Sequence, residues 1–345
     1  SRVNEHDTDW PTRRGTATRN CPGHGSGGTP ASTPTWWLSS TDSSTLGRRQ
    51  CEASTECFGW HGRSLIWTVS LTRQLTISLQ RSSCGTDTIM TTDDDIWEGA
   101  WWSAISEPAY PAARIVRSVL GDRAGREWLQ GSWAGVPSPL AAHARTDWFT
   151  QWNRWQARVH EVDVDQDLAR VERAGGGFVT PSDPRWPSQL SCLGDDEPLG
   201  LWYLGTLPSD SSSDGHVSII GARASTGAGG RCARNMAYHL ARSGYTVVSG
   251  GAIGIDIEAH RGAMTGGGAT VAILAGGVLN PYPACHIPDF RAMTAGGGVL
   301  ISEVSPTARP AKWRFLTRNR LIAAWSAATI VVEAGARSGA LATAR

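Results

Sequence analysis

The sequence predicts an α/β protein built on a doubly wound parallel sheet, and three observations in its C-terminal half support this prediction. Five short apolar runs each fit a buried strand, stretches of helical periodicity separate them, and turns marked by glycine or arginine follow them. Because ligands bind at the carboxyl ends of the strands in such sheets, function is expected at the turns. The runs are 216–220, 246–249, 270–274, 299–304 and 329–333, and the turns are 221–223, 249–251, 276–277 and 318–320.

Residues 1–89 form a leader without helical or strand periodicity, dominated by serine, threonine, arginine, glycine and proline. Two interpretations stay open: a disordered segment, or a stretch that is not native coding sequence, with the native start near Met90. We favour the second, because Thr91, Thr92 and the acidic residues 93–95 fit the cap and first turn of a helix.

Residues 90–175 predict a small helical domain of the SAM or helix-hairpin-helix kind. Trp148, Trp152 and Trp155 recur at intervals of three and four, which places them on one helix face as a core stripe. Residues 176–345 predict the α/β domain, with helices over 231–242, 255–264, 288–294 and 318–327. Gly244 stands where a left-handed residue would close the first of these helices.

Composition limits the classes of function. A length of 345 residues suggests two or three domains, and a net charge of +1 means that any polyanion site must be a local patch. Seven cysteines without metal-ligand spacing suggest free thiols in a reducing compartment. No apolar run is long enough to span a membrane. We therefore expect a cytoplasmic protein that binds no metal, no cofactor and no membrane.

The first turn, residues 221–227, follows a strand and opens a helix. Its backbone N–H groups can hold a phosphate, with Arg223 and Ser225 adding charge and a hydroxyl. On this pattern alone, a purely structural turn or an unrelated nucleotide site stays open. The glycines lack the spacing of the dinucleotide fingerprint, and no P-loop motif occurs. Hydride transfer is therefore disfavoured, and a P-loop nucleotide hydrolase is excluded.

Two further patterns could carry chemistry. Asp256 and His260 lie one helical turn apart and could form a general acid/base pair, but we favour a hydrogen-bonded pair that holds the second turn against the sheet. Further along, Trp313 and Phe315 alternate with positive charges, as in single-strand binders, although a solvated loop with both rings in the core fits equally. The basic residues of this run are Arg309, Lys312, Arg314, Arg318 and Arg320.

In order and spacing, these motifs resemble those of the DNA-processing protein A (DprA/Smf) family, strongly over 176–345 and loosely over 93–174. The motifs are Gly221-Ala222-Arg223, residues 249–256 with Ala259-His260, Tyr282-Pro283, Ser302-Glu303, Phe315 with Arg318-Asn319-Arg320, Val332-Glu333, Ser338-Gly339 and Thr343-Ala344. Upstream, Asp183, Trp186-Pro187, Leu201-Trp202-Tyr203 and Gly205 resemble the family's lead-in to its Rossmann-like domain.

The resemblance implies a non-enzymatic homodimer that binds single-stranded DNA without base specificity. It further implies a role in loading the RecA recombinase during natural transformation and recombination. The DNA would lie in a positively charged pocket made by the turns, with Asn319 ordering the last of them. The implied DNA-binding residues are Gly221, Arg223, Ser225, Gly227, Ser249, Gly250, Arg318, Asn319, Arg320, Ser338 and Gly339.

The chain departs from the family pattern in two places. Gly251 and Ile253 stand where the family usually has leucine and often a basic residue, so one cationic contact is missing. Two outcomes stay open: a lower affinity, or a substitute charge from Arg261 or Lys312. The chain also stops at Arg345, just after the motif that begins at Ser338, so an incomplete sheet with an unpaired edge is expected.

Two alternative functions stay open. A phosphoribohydrolase that cleaves nucleoside monophosphates would share the Ser-Gly-Gly turn, but residues 335–341 lack the carboxylate that such enzymes carry after their last glycine-rich turn. A truncated remnant without function is favoured by the unusual leader and the missing end.

Overall fold

The computed structural model describes residues 93–143, 145–208, 215–335 and 338–343, together with the backbone of 57–58, 65–66 and 68–71. These residues belong to one compact unit, Glu52–Arg345. The expectations for the leader 1–89 and for Met90 therefore lie almost wholly outside the described residues.

From residue 216 onward, strands and helices alternate as the sequence predicts, whereas residues 57–71 contain strands where no strand periodicity is predicted. The strands are β1 (Cys57–Phe58), β2 (Leu65–Ile66), β3 (Thr68–Leu71), β4 (Gly176–Val179), β5 (Leu201–Gly205), β6 (His216–Gly221), β7 (Thr246–Ser249), β8 (Thr270–Leu274), β9 (Val299–Ser302) and β10 (Ala328–Val332). The helices are α1 (Asp93–Ile105), α2 (Pro111–Leu120), α3 (Asp122–Gln130), α4 (Ser138–Ala141), α5 (Trp148–Val159), α6 (Val164–Arg173), α7 (Gly227–Arg242), α8 (Ile255–Thr265), α9 (Ile287–Ala295), α10 (Lys312–Ala324) and α11 (Gly339–Thr343).

The central sheet confirms the predicted doubly wound α/β fold. Five strands are parallel in the order β10-β6-β7-β8-β9, and β5 and β4 extend the β9 side as antiparallel strands. On the other side, β3 pairs antiparallel with β10. The sequence predicts an incomplete sheet with an unpaired edge, but the outer edge of β10 is hydrogen-bonded to a strand from the segment predicted as leader.

The predicted helices are present, but two of them begin earlier than expected. Helix α7 starts directly after Thr226, whose hydroxyl accepts the backbone N–H of Gly229 at 3.0 Å as an N-cap. Helix α10 starts at Lys312, not at Arg318. The expectation that residues 318–320 form a turn is therefore wrong, because they lie inside this helix.

The N-terminal helices pack against one end of the sheet. Trp148, Trp152 and Trp155 of α5 are all buried, which confirms the predicted core stripe. Their apolar cluster continues into the sheet through Phe178 of β4 and Trp202 of β5, whose ring centroids lie 4.8 Å apart. The predicted boundary near residue 176 thus coincides with the start of β4, but the hydrophobic core is continuous across it. Over the described part of the chain, no helix is long and apolar enough to cross a bilayer.

Candidate nucleic-acid interface

A cleft of about 240 Å³ opens where the first predicted turn faces helices α10 and α11. Its position follows from the fold, because β6 ends at Gly221 and the chain must turn there before α7 begins. The cleft is lined by Ile220, Gly221, Ala222, Arg223, Ala252, Asp256, Phe315, Leu316, Arg318, Asn319, Ile322, Ser338, Gly339, Ala340 and Thr343. Six of the eleven predicted site residues therefore line one cavity: Gly221, Arg223, Arg318, Asn319, Ser338 and Gly339.

Arg223 is the exposed cation of this cleft. Its guanidinium carbon lies 4.9 Å from the centroid of the Phe315 ring, in a cation–π contact. Phe315 in turn meets Tyr282 edge to face, with ring centroids 5.8 Å apart. Tyr282 is half exposed, so the cleft presents a positive charge and two aromatic rings side by side at its opening.

Arg318 forms the floor of the cleft and is only 6% exposed. Its Nη1 donates to the carbonyl oxygens of Gly250, at 2.8 Å, and of Ile273. Burial lowers the pKa of Arg318 to about 10; the neighbouring Asp256 carboxylate opposes this shift and the positive charge of Arg223 adds to it. Arg318 thus joins the ends of β7 and β8 and contributes positive potential from below, without presenting its side chain to solvent.

Arg320 lies outside the cleft. Its guanidinium makes a two-pronged ion pair with Glu303, with N–O distances of 2.8 and 2.7 Å, and its Nε donates to the carbonyl of Asp196 at 3.0 Å. Residues two apart on a helix point about 200° apart, so Arg318 and Arg320 leave α10 in different directions. The arginines of residues 318–320 are therefore not brought together as the sequence motif suggests.

Ser249 and Gly250 lie beneath the surface. The Ser249 side chain is fully buried, and its hydroxyl donates to the carbonyl of Ile219 at 2.6 Å, which ties β7 to β6. The Gly250 carbonyl accepts from Arg318, and a Cβ at Gly250 would lie 2.6 Å from that guanidinium. Both residues shape the cleft from inside, so neither enters the DNA contact proposed below.

Ser225 and Gly227 line a neighbouring groove between the start of α7 and α8, not the cleft itself. Ile253, one of the two departures from the family pattern, lies on this groove and is half exposed. Arg261, expected as a substitute cation, is held by Asp289 and Glu258, with three N–O distances between 2.8 and 2.9 Å. Its charge is therefore already compensated.

The basic run divides into engaged and available side chains. Arg314 is paired with Glu107, 3.1 Å away, and stacks over Trp313. Arg309 and Lys312 are exposed, and Trp313 is 44% exposed. Within the described ranges, no ion pair to a carboxylate joins Arg309, Lys312 or Arg223. Lys312 thus remains the better candidate for the missing cation, one helical turn before Phe315.

Asp256 and His260 do not bond to each other, so the expected pair is absent. Backbone N–H groups of Ala252, Gly250 and Gly221 donate to the Asp256 carboxylate, whose pKa is raised by burial. His260 Nδ1 lies 2.8 Å from the Thr270 hydroxyl oxygen. Asp256 therefore holds the two turns together from one side, and His260 belongs to the core.

Two residues of the site belong to motifs quoted above, Tyr282-Pro283 and Val332-Glu333, but are not among the predicted DNA-binding residues. Tyr282 stands far from the basic run, and only the fold brings it to Phe315. Glu333 follows β10 and reaches the first turn, where its carboxylate accepts the backbone N–H of Thr226 at 2.8 Å. The described residues hold no cluster of three or more His, Cys, Asp or Glu side chains suited to a metal ion.

Sequence comparisons show which known proteins this chain resembles. Residues 177–345 match the family model of DNA recombination-mediator protein A. A DprA-type protein of Mycobacterium tuberculosis is 45% identical over 195 residues, which cover 53% of this chain and 50% of that protein. Protein Smf of a Synechocystis strain is 39% identical over 253 residues, which cover 72% of this chain and 61% of the relative. This chain thus spans half to about three-fifths of the length of these relatives.

A solved structure supports the fold. The crystal structure of DNA processing protein A from Streptococcus pneumoniae aligns with a TM-score of 0.53 at 23% sequence identity. The alignment covers 74% of this chain and 82% of the other. At this identity, the likeness establishes the shared architecture alone.

Proposed function

This chain belongs to the DprA/Smf family through residues 177–345, and from this membership we propose that it binds single-stranded DNA without base specificity. The DNA would lie at the opening of the cleft between the first turn and α10. Arg223 and Lys312 would contact phosphates, and Trp313, Phe315 and Tyr282 would contact base faces.

The observation that carries this proposal is the pairing of Arg223 with Phe315. An arginine without a described carboxylate partner, held over an aromatic ring, offers its N–H groups to a phosphate at low entropic cost. Burial lowers the pKa of Arg318, the Asp256 carboxylate opposes this shift, and the positive charge of Arg223 adds to it, so the two arginines repel each other in the absence of a bound anion. A polyanion therefore relieves an unfavourable interaction that the folded chain already contains.

The exposed aromatic rings favour a single strand over a duplex. Exposed rings next to cations are the means by which proteins hold unpaired bases, because every base has a face on which a ring can stack. Trp313 and Tyr282 are both about half exposed at this surface. Contacts of this kind distinguish bases only weakly, which supports binding without base specificity.

The wider role is proposed from family membership. We propose that the bound chain assists RecA loading on the strand during natural transformation and recombination, and that it acts as a homodimer in the cytoplasm. Light scattering of the purified protein tests the dimer. Stimulation of RecA strand exchange tests the loading role, separately from DNA binding.

The phosphoribohydrolase alternative gains no support from the first turn. In enzymes that bind a nucleotide phosphate at a glycine-rich turn, the N-terminus of the following helix faces the phosphate. Here the Glu333 carboxylate is directed at that turn, accepting from the backbone N–H and the hydroxyl of Thr226 at 2.8 and 3.0 Å. A second anion there would face this negative charge.

The proposal is tested by fluorescence anisotropy with labelled oligodeoxynucleotides of thymidine, adenosine and cytidine, and with a duplex of equal length. We expect similar affinities for the three single strands, weaker binding of the duplex, and a log–log salt slope near 0.7 per phosphate contact. AMP serves as the competitor that represents the enzyme alternative. Preference for the duplex, or displacement of the strand by micromolar AMP, would contradict the proposal.

A further inference from the structure

Glu333 contacts both ends of the segment that carries Arg223. Its backbone carbonyl accepts the N–H of Ala222 at 2.7 Å. Its carboxylate oxygen Oε2 accepts the backbone N–H of Thr226 at 2.8 Å and the Thr226 hydroxyl at 3.0 Å. One residue at the end of β10 therefore fixes the chain on either side of Arg223.

The backbone of Glu333 is adapted to this double contact. Its φ is +52°, in the left-handed region that residues with a side chain seldom adopt. The chain bends at Glu333, directly after β10, and the carbonyl and the carboxylate of this residue both contact the first turn. Such strain persists only where the surrounding contacts hold it in place.

Gly229 in the first turn of α7 makes room for the carboxylate. A Cβ built on Gly229 would lie 2.1 Å from Oε2 of Glu333. The Gly229 N–H also donates to the Thr226 hydroxyl, which itself donates to Glu333. A glycine inside a helix costs about 1 kcal/mol relative to alanine, and its use here matches the approach of the carboxylate.

We propose that Glu333 is a positioning residue for the DNA contact, holding residues 222–226 so that Arg223 stays stacked on Phe315 and aimed at the strand. This inference rests on the proposed function, because it assigns Glu333 a role at the same interface. Glu333 makes no contact with DNA and acts through Arg223 alone.

The negative charge of Glu333 allows a positioning role to be distinguished from a purely electrostatic one, because the two roles predict opposite effects on DNA affinity. Removing a carboxylate near a DNA site reduces repulsion, so a residue that acted only by its charge would bind DNA more tightly when replaced. A positioning residue gives the opposite result when its side chain is truncated. Glu333→Ala should weaken binding about five- to tenfold, whereas Glu333→Gln keeps acceptors for Thr226 and should bind at least as tightly as the wild type.

The decisive measurement is a double-mutant cycle in the full chain, with single-stranded DNA affinity read by anisotropy. In the Arg223→Ala background, Glu333→Ala should weaken binding by no more than about twofold, because the group that it positions is gone. In the Lys312→Ala background, it should retain its full effect. Thermal unfolding of each variant verifies that the compared proteins are folded.

Gly229→Ala provides an independent variant if Glu333→Ala fails to fold. The added methyl displaces the far end of the Glu333 side chain and raises the helix propensity of α7. It should therefore weaken DNA binding without weakening the fold, again only when Arg223 is present.

The outcomes separate the two claims. No single-strand binding by the wild-type chain overturns the proposed function. Wild-type binding combined with tighter or unchanged binding by both Glu333→Ala and Gly229→Ala overturns the positioning role alone. Full additivity with Arg223→Ala, or no effect of Arg223→Ala itself, overturns it as well.

Discussion

The guanidinium carbon of Arg223 lies 4.9 Å from the centre of the Phe315 ring, which joins the turn after β6 to helix α10. The two residues are far apart in the sequence, and each comes from a different motif. Their contact joins the turn after β6 and the basic, aromatic run into one surface. Substitutions in the turn and in α10 can therefore distinguish residues that contact DNA from residues that only stabilise the fold.

Arg223→Ala should lower single-stranded DNA affinity by at least about tenfold at low salt, since a charge-assisted contact contributes about 1.5–3 kcal/mol. The loss of one phosphate contact should also lower the log–log salt slope by about 0.7. Arg123→Ala is the matched control, because Arg123 is an exposed arginine paired with Glu127 on a different helix. Equal slopes for Arg223→Ala and the wild type would remove Arg223 from the interface.

Lys312 and Trp313 should contribute in different ways. Lys312→Ala should lower the salt slope, whereas Trp313→Ala should weaken binding by about 1–3 kcal/mol with the slope unchanged, because stacking involves no counterion release. Trp313→Phe should retain much of the affinity. Both side chains are exposed in the first turn of α10, so the free energy of unfolding should change by less than about 0.5 kcal/mol. A lower slope for Trp313→Ala would contradict this division.

Arg320→Ala should lower stability rather than DNA affinity. Arg320 and Glu303 are 14% and 12% exposed in their side chains, and removing one partner of such a part-buried pair costs up to about 3–5 kcal/mol. Urea unfolding measures the loss, and Glu303→Gln should produce part of the same effect. The salt slope of the folded Arg320→Ala protein should match that of the wild type. A slope lower by about 0.7 would restore Arg320 to the DNA site.

The sheet could be predicted from the sequence because its signals are local. Each of the five parallel strands is a short apolar run that ends in a turn, and both burial and turn chemistry act within a few residues. The same reasoning located the cleft, since the carboxyl ends of parallel strands meet at one edge. The antiparallel strands β4 and β5 were missed as sheet members because their pairing partners lie far along the chain.

The directions of the side chains could not be predicted in the same way. Arg318 and Arg320 are two residues apart, and only the knowledge that they lie on a helix separates a buried arginine from one paired with Glu303. Ser249 ends a strand, where alternation decides between the core and the surface, and here its hydroxyl points inward to Ile219. Glu333 belongs to the Val332-Glu333 motif, but the motif does not show its role, because its partners are groups of another segment.

His260 should make the stability of the fold depend on pH below neutrality. The His260 ring is fully buried. The Thr270 hydroxyl donates its proton to the Val247 carbonyl, so its oxygen accepts the N–H of His260 Nδ1. The other ring nitrogen, Nε2, has no partner among the described atoms. Protonation would place a charged N–H in the core without an acceptor. Burial, aided by the positive charge of Arg318, therefore lowers the pKa of His260 to about 3.

The sign of the effect follows from proton binding in the two states. The unfolded chain takes up a proton at His260 as the pH falls through about 6.5, whereas the folded chain stays neutral there until about pH 3. Stability is therefore greatest above pH 6.5 and falls by about 1.4 kcal/mol per pH unit below it, from this residue alone. Urea unfolding between pH 4.5 and 5.5 gives the slope of the free energy of unfolding against pH. This slope should be smaller by about 1.4 kcal/mol per pH unit in His260→Gln than in the wild type. Because the other titrating groups are shared, equal slopes in the two proteins would mean that His260 is protonated in the folded state, and the core environment described above would be wrong.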